Sequence, residues 1–167
     1  MKKFLLVVAV LSFGFLQAQD CSIYSHKNTI PDGTTYNVVN KEISTFISMD
    51  DNLVSALLAS KENTNQLTMQ FTVKDKKIAV YSFDKMYFLM KDKTKDFLIE
   101  NQLSANYNSK IGAFFGGPFG KTEELNTLKT YQIEVIVLKI SGESIRIKLT
   151  ETQSLQLMEA FNCILKK

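Results

Sequence analysis

The chain has no tryptophan, one histidine, two prolines, two cysteines and one arginine among its 20 basic residues. Each scarcity excludes something. With His26 as the lone imidazole and no clustered cysteines, a zinc centre lacks its usual ligands. A nucleophile–histidine pair would have to use His26, with Asp32 as its orienting group, and both fall in a stretch without regular patterning. His26 is therefore read as an exposed bystander. The acids in "MDDN" (49–52) are too few for a calcium loop and read as the N-cap and first turn of a helix. No metal and no cofactor is expected. Beyond residue 16 no apolar run approaches the length of a membrane span, so no transmembrane segment is expected in the mature chain.

What is present begins with an address. Lys2 and Lys3 precede the apolar run "FLLVVAVLSFGFL" (4–16), and Ala18 supplies a small residue before a cut. Residues 1–18 are read as a cleaved signal peptide, which places the protein outside the cytoplasm, periplasmic or secreted. Asp20, directly before Cys21, is not the small residue that lipid attachment at a cysteine requires, so lipidation is not expected. Removal of 1–18 leaves 149 residues, with 18 bases against 17 acids. A net charge of +1 argues for neither nucleic acid nor an anionic membrane.

In an oxidising compartment Cys21 and Cys163 are expected to form a disulfide joining the two ends of the mature chain; the alternative is two unpaired thiols. Their separation excludes a redox motif.

The pattern predicts an irregular segment at 19–35, with a turn at Pro31-Asp32-Gly33, and one α+β domain over 36–167. A β-rich stretch at 36–49 leads to a helix over 51–60, on the spacing of Leu53, Ala56, Leu57 and Ser60. Strict alternation of Leu67, Met69, Phe71 and Val73 predicts a half-buried strand. "IAVYSF" (78–83), "MYFLM" (86–90) and "FLIE" (97–100) continue as strands separated by the charged turns "KDKK" (74–77) and "KDKTKD" (91–96). Further on, 131–140 and 145–149 form a hairpin. Thr150 then caps a last helix with Gln153 at capping-box spacing, and Leu155, Met158, Phe161 and Leu165 supply its apolar stripe. The expected fold is a meander-like antiparallel sheet with two or three helices packed on one face, the C-terminal helix among them.

"IGAFFGGPFGKT" (111–122) resembles a phosphate-binding loop only on the surface. Gly116 and Gly120 enclose three residues where that loop needs four, position 115 is Phe, and Pro118 removes an N–H donor. Nucleotide binding is excluded. The remaining feature is a glycine-hinged aromatic loop: Phe114, Phe115 and Phe119 among Gly112, Gly116, Gly117 and Gly120. Its phenylalanines either tuck into the core or contact a ligand or partner, and Phe114, Phe115, Gly116, Gly117 and Phe119 are the candidate binding residues. Glu123-Glu124 beside it are the first suspects for a carboxylate pair, although acids in a first helical turn also suit the helix dipole.

The function expected is that of a small non-enzymatic binding or protein-interaction domain of the bacterial envelope. A carrier of a small apolar ligand and a small carboxylate-dependent hydrolase are the alternatives. The partner is an unidentified protein or apolar ligand, with no nucleic acid and no nucleotide.

Overall fold

A computed structural model describes residues 20–64, 66–74, 85–100, 103–106, 110–115, 122–140 and 142–165. The elements are β1 (Ser25–Thr29), β2 (Thr35–Val39), β3 (Thr45–Ile47), β4 (Leu53–Lys61), β5 (Leu67–Val73), β6 (Lys85–Met90), β7 (Phe97–Glu100), β8 (Leu103–Asn106), β9 (Lys110–Phe115), α1 (Thr122–Thr130), β10 (Ile133–Ile140), β11 (Glu143–Lys148) and α2 (Glu151–Ile164). Short 3-10 turns occupy Cys21–Ile23 and Lys93–Lys95. All the strand pairings are antiparallel, which makes the α+β class correct.

There are two sheets, not one meander. The larger has the order β1-β2-β4-β5-β9-β8, and β3 also pairs with β4; the smaller has the order β11-β10-β6-β7. β4 accepts β3 along its first half (Ile47 opposite Leu53) and β2 along its second (Tyr36 opposite Lys61). In chain order the described strands therefore change sheet three times, between β5 and β6, between β7 and β8, and between β9 and β10.

Three expectations are corrected. Residues 53–61 are a strand, not part of a helix over 51–60. Val54, Ala56 and Leu58 are buried at alternate positions, and pairing with β2, β3 and β5 supplies the backbone bonds that a helix would have made internally. The N-terminal stretch is not irregular throughout: Ser25–Thr29 pairs residue for residue with Thr35–Val39 across the Pro31–Gly33 turn, where Gly33 takes φ +85°. Lastly, Leu155 of α2 is 45% exposed. The buried stripe is Ser154, Leu157, Ala160, Phe161 and Ile164, a rotation that lets the Ser154 hydroxyl donate to the Ile133 carbonyl at 2.6 Å.

The core lies between the sheets. Phe46, Leu58, Met69 and Phe71 of the larger sheet meet Phe88 and Ile136 of the smaller, together with Leu157 and Phe161 of α2, and leave no room for a water molecule between them. Each such side chain contributes about 1.5–3 kcal/mol by leaving water. At its N-terminus α2 carries the expected capping box: the Gln153 amide donates to Thr150 Oγ1 at 3.2 Å, and the Thr150 amide to Gln153 Oε1 at 3.0 Å. Near its C-terminus Cys163 is joined to Cys21, with Cα atoms 5.5 Å apart. Among the described residues no helix is long and apolar enough to cross a membrane.

Candidate functional site

The sequence candidates separate. Phe114 and Phe115 are the last two residues of β9, opposite Thr68 and Leu67, so their backbone is sheet rather than loop. Gly112 is also in that strand, opposite Gln70 and Ser104. Gly116, Gly117, Phe119 and Gly120 lie outside the described residues.

His26 does not pair with Asp32. Its Nδ1 lies 2.9 Å from Asn40 Oδ1, while Asn40 Nδ2 donates to the carbonyls of Ser22 and Ile23 at 3.2 and 3.1 Å. Asn40 thus clamps the segment that follows Cys21. Asp32 accepts from the Thr34 amide at 2.8 Å, and this bond is the main reason its carboxyl titrates below its usual range. The acids of 49–52 do not cap a helix. They sit in a tight turn in which Ser48 and Asn52 exchange hydrogen bonds and Asp51 takes φ +60°.

"KDKTKD" is likewise structural. Asp92 accepts from the amide and the hydroxyl of Thr94, and Asp96 accepts from the Met90 amide at 2.6 Å. Lys91 pairs with Glu151 and Lys93 with Glu134. Of "KDKK", Lys74 is described and 75–77 lie outside. Glu123 and Glu124 stand in the first turn of α1. Among the described residues no group of three or more His, Cys, Asp or Glu side chains could hold a metal ion. Met86 is fully buried in the core.

A different feature is a surface that sequence reasoning missed. Ile47, Met49, Leu53 and Leu57 are 55%, 61%, 40% and 47% exposed, and all belong to the β3–β4 hairpin. The pleat explains them. Phe46, Val54, Ala56 and Leu58 point to the core, so Ile47, Leu53 and Leu57 point out, and the register sets Ile47 directly opposite Leu53. Around them the outward positions are Thr45, Ser55, Thr68, Gln70 and Thr72; no outward position of β3, β4 or β5 is a carboxylate. The tip is held in place because the Met49 amide donates to the Arg146 carbonyl at 2.7 Å. The signal was there to read: in "LVSALLA" (53–59) both parities are apolar, as in a strand greasy on both faces.

The exposed aliphatic side chains of this surface offer apolar contact area. Comparison with protein-family models, with curated proteins and with solved structures finds no match to this chain, so its chemistry is argued from its own residues.

Proposed function

We propose that the chain is a small, non-enzymatic binding domain exported to the bacterial envelope, periplasmic or secreted, which docks a protein partner through the outer face of the β3–β4 hairpin. The observation that carries this reading is the exposure of Ile47, Met49, Leu53 and Leu57 on one hairpin. Single exposed aliphatics are ordinary on a protein surface, whereas four on one hairpin, set among short polar side chains, offer a partner shared apolar contact area. Covering that face removes four large apolar side chains from water. Export is supported by the lysine-then-apolar pattern of residues 1–18 and by a disulfide of the kind that persists in oxidising compartments.

The test is site-specific photo-crosslinking in cells that make the protein. A photoreactive side chain at Leu57 is expected to give one discrete adduct, and the same probe at exposed Leu155 none. Leu53→Ser is expected to remove the adduct. Absence of any adduct from both Leu57 and Met49, in protein whose melting temperature is unchanged, would defeat the proposal.

A further inference from the structure

Charge is sorted in this fold in a way that its net value conceals. Among the described carboxylates only Glu100, Glu134 and Glu143 stand within strands; the others occupy caps, turns and helices. The smaller sheet shows the consequence most clearly. Its core side is Met86, Phe88 and Met90 of β6, Ile136, Leu138 and Ile140 of β10, and Ile145 and Ile147 of β11. Alternation therefore assigns the outer side to Lys85, Tyr87 and Leu89, to Val135, Val137 and Lys139, and to Ser144, Arg146 and Lys148. Four of these nine positions, on β6, β10 and β11, are cationic and none is acidic. With β7 included, the register makes three rows: Ser144–Lys139–Lys85–Glu100, Arg146–Val137–Tyr87–Leu98 and Lys148–Val135–Leu89, so the one acid stands at the β7 end of the first row.

We propose that this outer face of the four-stranded sheet is a membrane-surface site, adsorbing to a bilayer that carries anionic headgroups. Three observations support it together. On β6, β10 and β11 the charges have one sign and lie on one side of a pleated plane, spaced about 5 Å across strands and about 7 Å along them, so that they meet a planar array of anions at once.

Lys139, Arg146 and Lys148 are exposed, while Val137 beneath them is only 4% exposed. Their stems cover apolar surface and leave the charged heads outermost. The face also presents half-buried Tyr87 and Leu89, and the Lys139 ammonium sits 5.2 Å from the Tyr87 ring centroid. An amphipathic aromatic beside cations suits the headgroup layer.

Two of the bordering carboxylates, Glu134 and Glu151, are each held by a lysine that is off this face. Glu134, at the β10 bulge, is engaged by Lys93, with Lys148 adding a weaker pull, and Glu151 is engaged by Lys91. Glu100 stands opposite Lys85 on the neighbouring strand. The site is separate from the hairpin face and does not depend on it.

The test is co-sedimentation of residues 19–167, which hold every described element and lack the apolar 4–16 run, with phosphatidylglycerol–phosphatidylcholine vesicles and with pure phosphatidylcholine vesicles. Binding is expected on the anionic vesicles alone, with release as salt is raised to about 0.5 M and the screening length shrinks. Arg146→Glu/Lys148→Glu should lower the partition coefficient at least about tenfold. Lys41→Glu/Lys74→Glu, which changes net charge equally at exposed positions off this sheet, should lower it far less. Arg146→Ser/Lys148→Ser, checked by circular dichroism, serves if the reversal disturbs folding. Equal binding to both vesicle types, equal loss in the Lys41/Lys74 variant, or retention on soluble polyphosphate without vesicle binding would each overturn the proposal.

Discussion

The backbone amide of Met49 donates to the carbonyl of Arg146 at 2.7 Å, tying the hairpin of one sheet to the edge strand of the other. Met49 has one of the most exposed apolar side chains described, at 61%, yet its amide is committed to the fold. Hydrogen exchange separates the two properties. The Met49 amide is expected to exchange markedly more slowly than that of its neighbour Asp50. Equal rates would mean that the tip of the hairpin is not docked on β11 in solution.

The Cys21–Cys163 bridge spans 142 positions of sequence. In the chain-entropy account, closing so long a loop contributes about 5 kcal/mol, less any strain in the native state. Thiol titration of the denatured, unreduced protein is expected to find no free thiol, and after reduction to find two. Cys21→Ser/Cys163→Ser should lower the melting temperature by well over ten degrees, on a scale of about 4 °C or less per kcal/mol for a chain of this size.

Phe161 is buried and Leu155 exposed on α2, and substitution should tell them apart. Phe161→Ala opens a hole where both sheets and the helix meet, and should cost about 3–5 kcal/mol. Leu155→Ala removes a side chain that is already 45% exposed and should change stability by about 0.5 kcal/mol or less. Similar losses in the two variants would place the buried face of the helix where its sequence periodicity first suggests.

Acid should loosen the fold. Lys93 donates to Glu134 and holds its carboxyl below the usual 4.5, with the Lys93 charge adding to the effect. A lowered carboxyl stabilises the folded state above its ordinary value, and that contribution fades as pH falls through the lowered one. Asp20, Asp32 and Asp92 are likewise lowered from 3.8, chiefly by bonds from Ser22, Thr34 and Thr94, and their contributions fade with acid in the same sense. Melting temperature is expected to hold down to about pH 5 and then to fall towards about pH 2, with Glu134→Gln flattening that fall. An unchanged profile in Glu134→Gln would remove this carboxyl from the account.

These cases mark how far the amino-acid pattern reaches. Leu67 to Val73 alternate buried and half-buried at every position, as their spacing predicts, because one face of that strand is core and the other is not. Thr150 and Gln153 form their box because capping is a local bond between neighbours. "LVSALLASK" defeated the same reasoning. Leu and Ala favour helices, and Leu53, Ala56 and Leu57 fit a helical stripe, but strand partners drawn from distant parts of the chain decided the outcome. The division into two sheets was not legible either, since alternation shows that a strand has an inner face and says nothing about which sheet supplies its neighbours. The same blindness hid the candidate surfaces. Exposure of Leu57, or the alignment of Arg146 with Val137 and Tyr87, exists only once the register is set.

With Cys21 bonded to Cys163, residues 21–163 close into a covalent ring. A protease that cuts once inside the ring, on any surface loop, releases no fragment: the product keeps its full mass plus one water and migrates as two pieces only after reduction. Damage at one point is therefore held in place, β1 stays beside α2, and the nicked protein can go on presenting both outer faces until a second cut arrives.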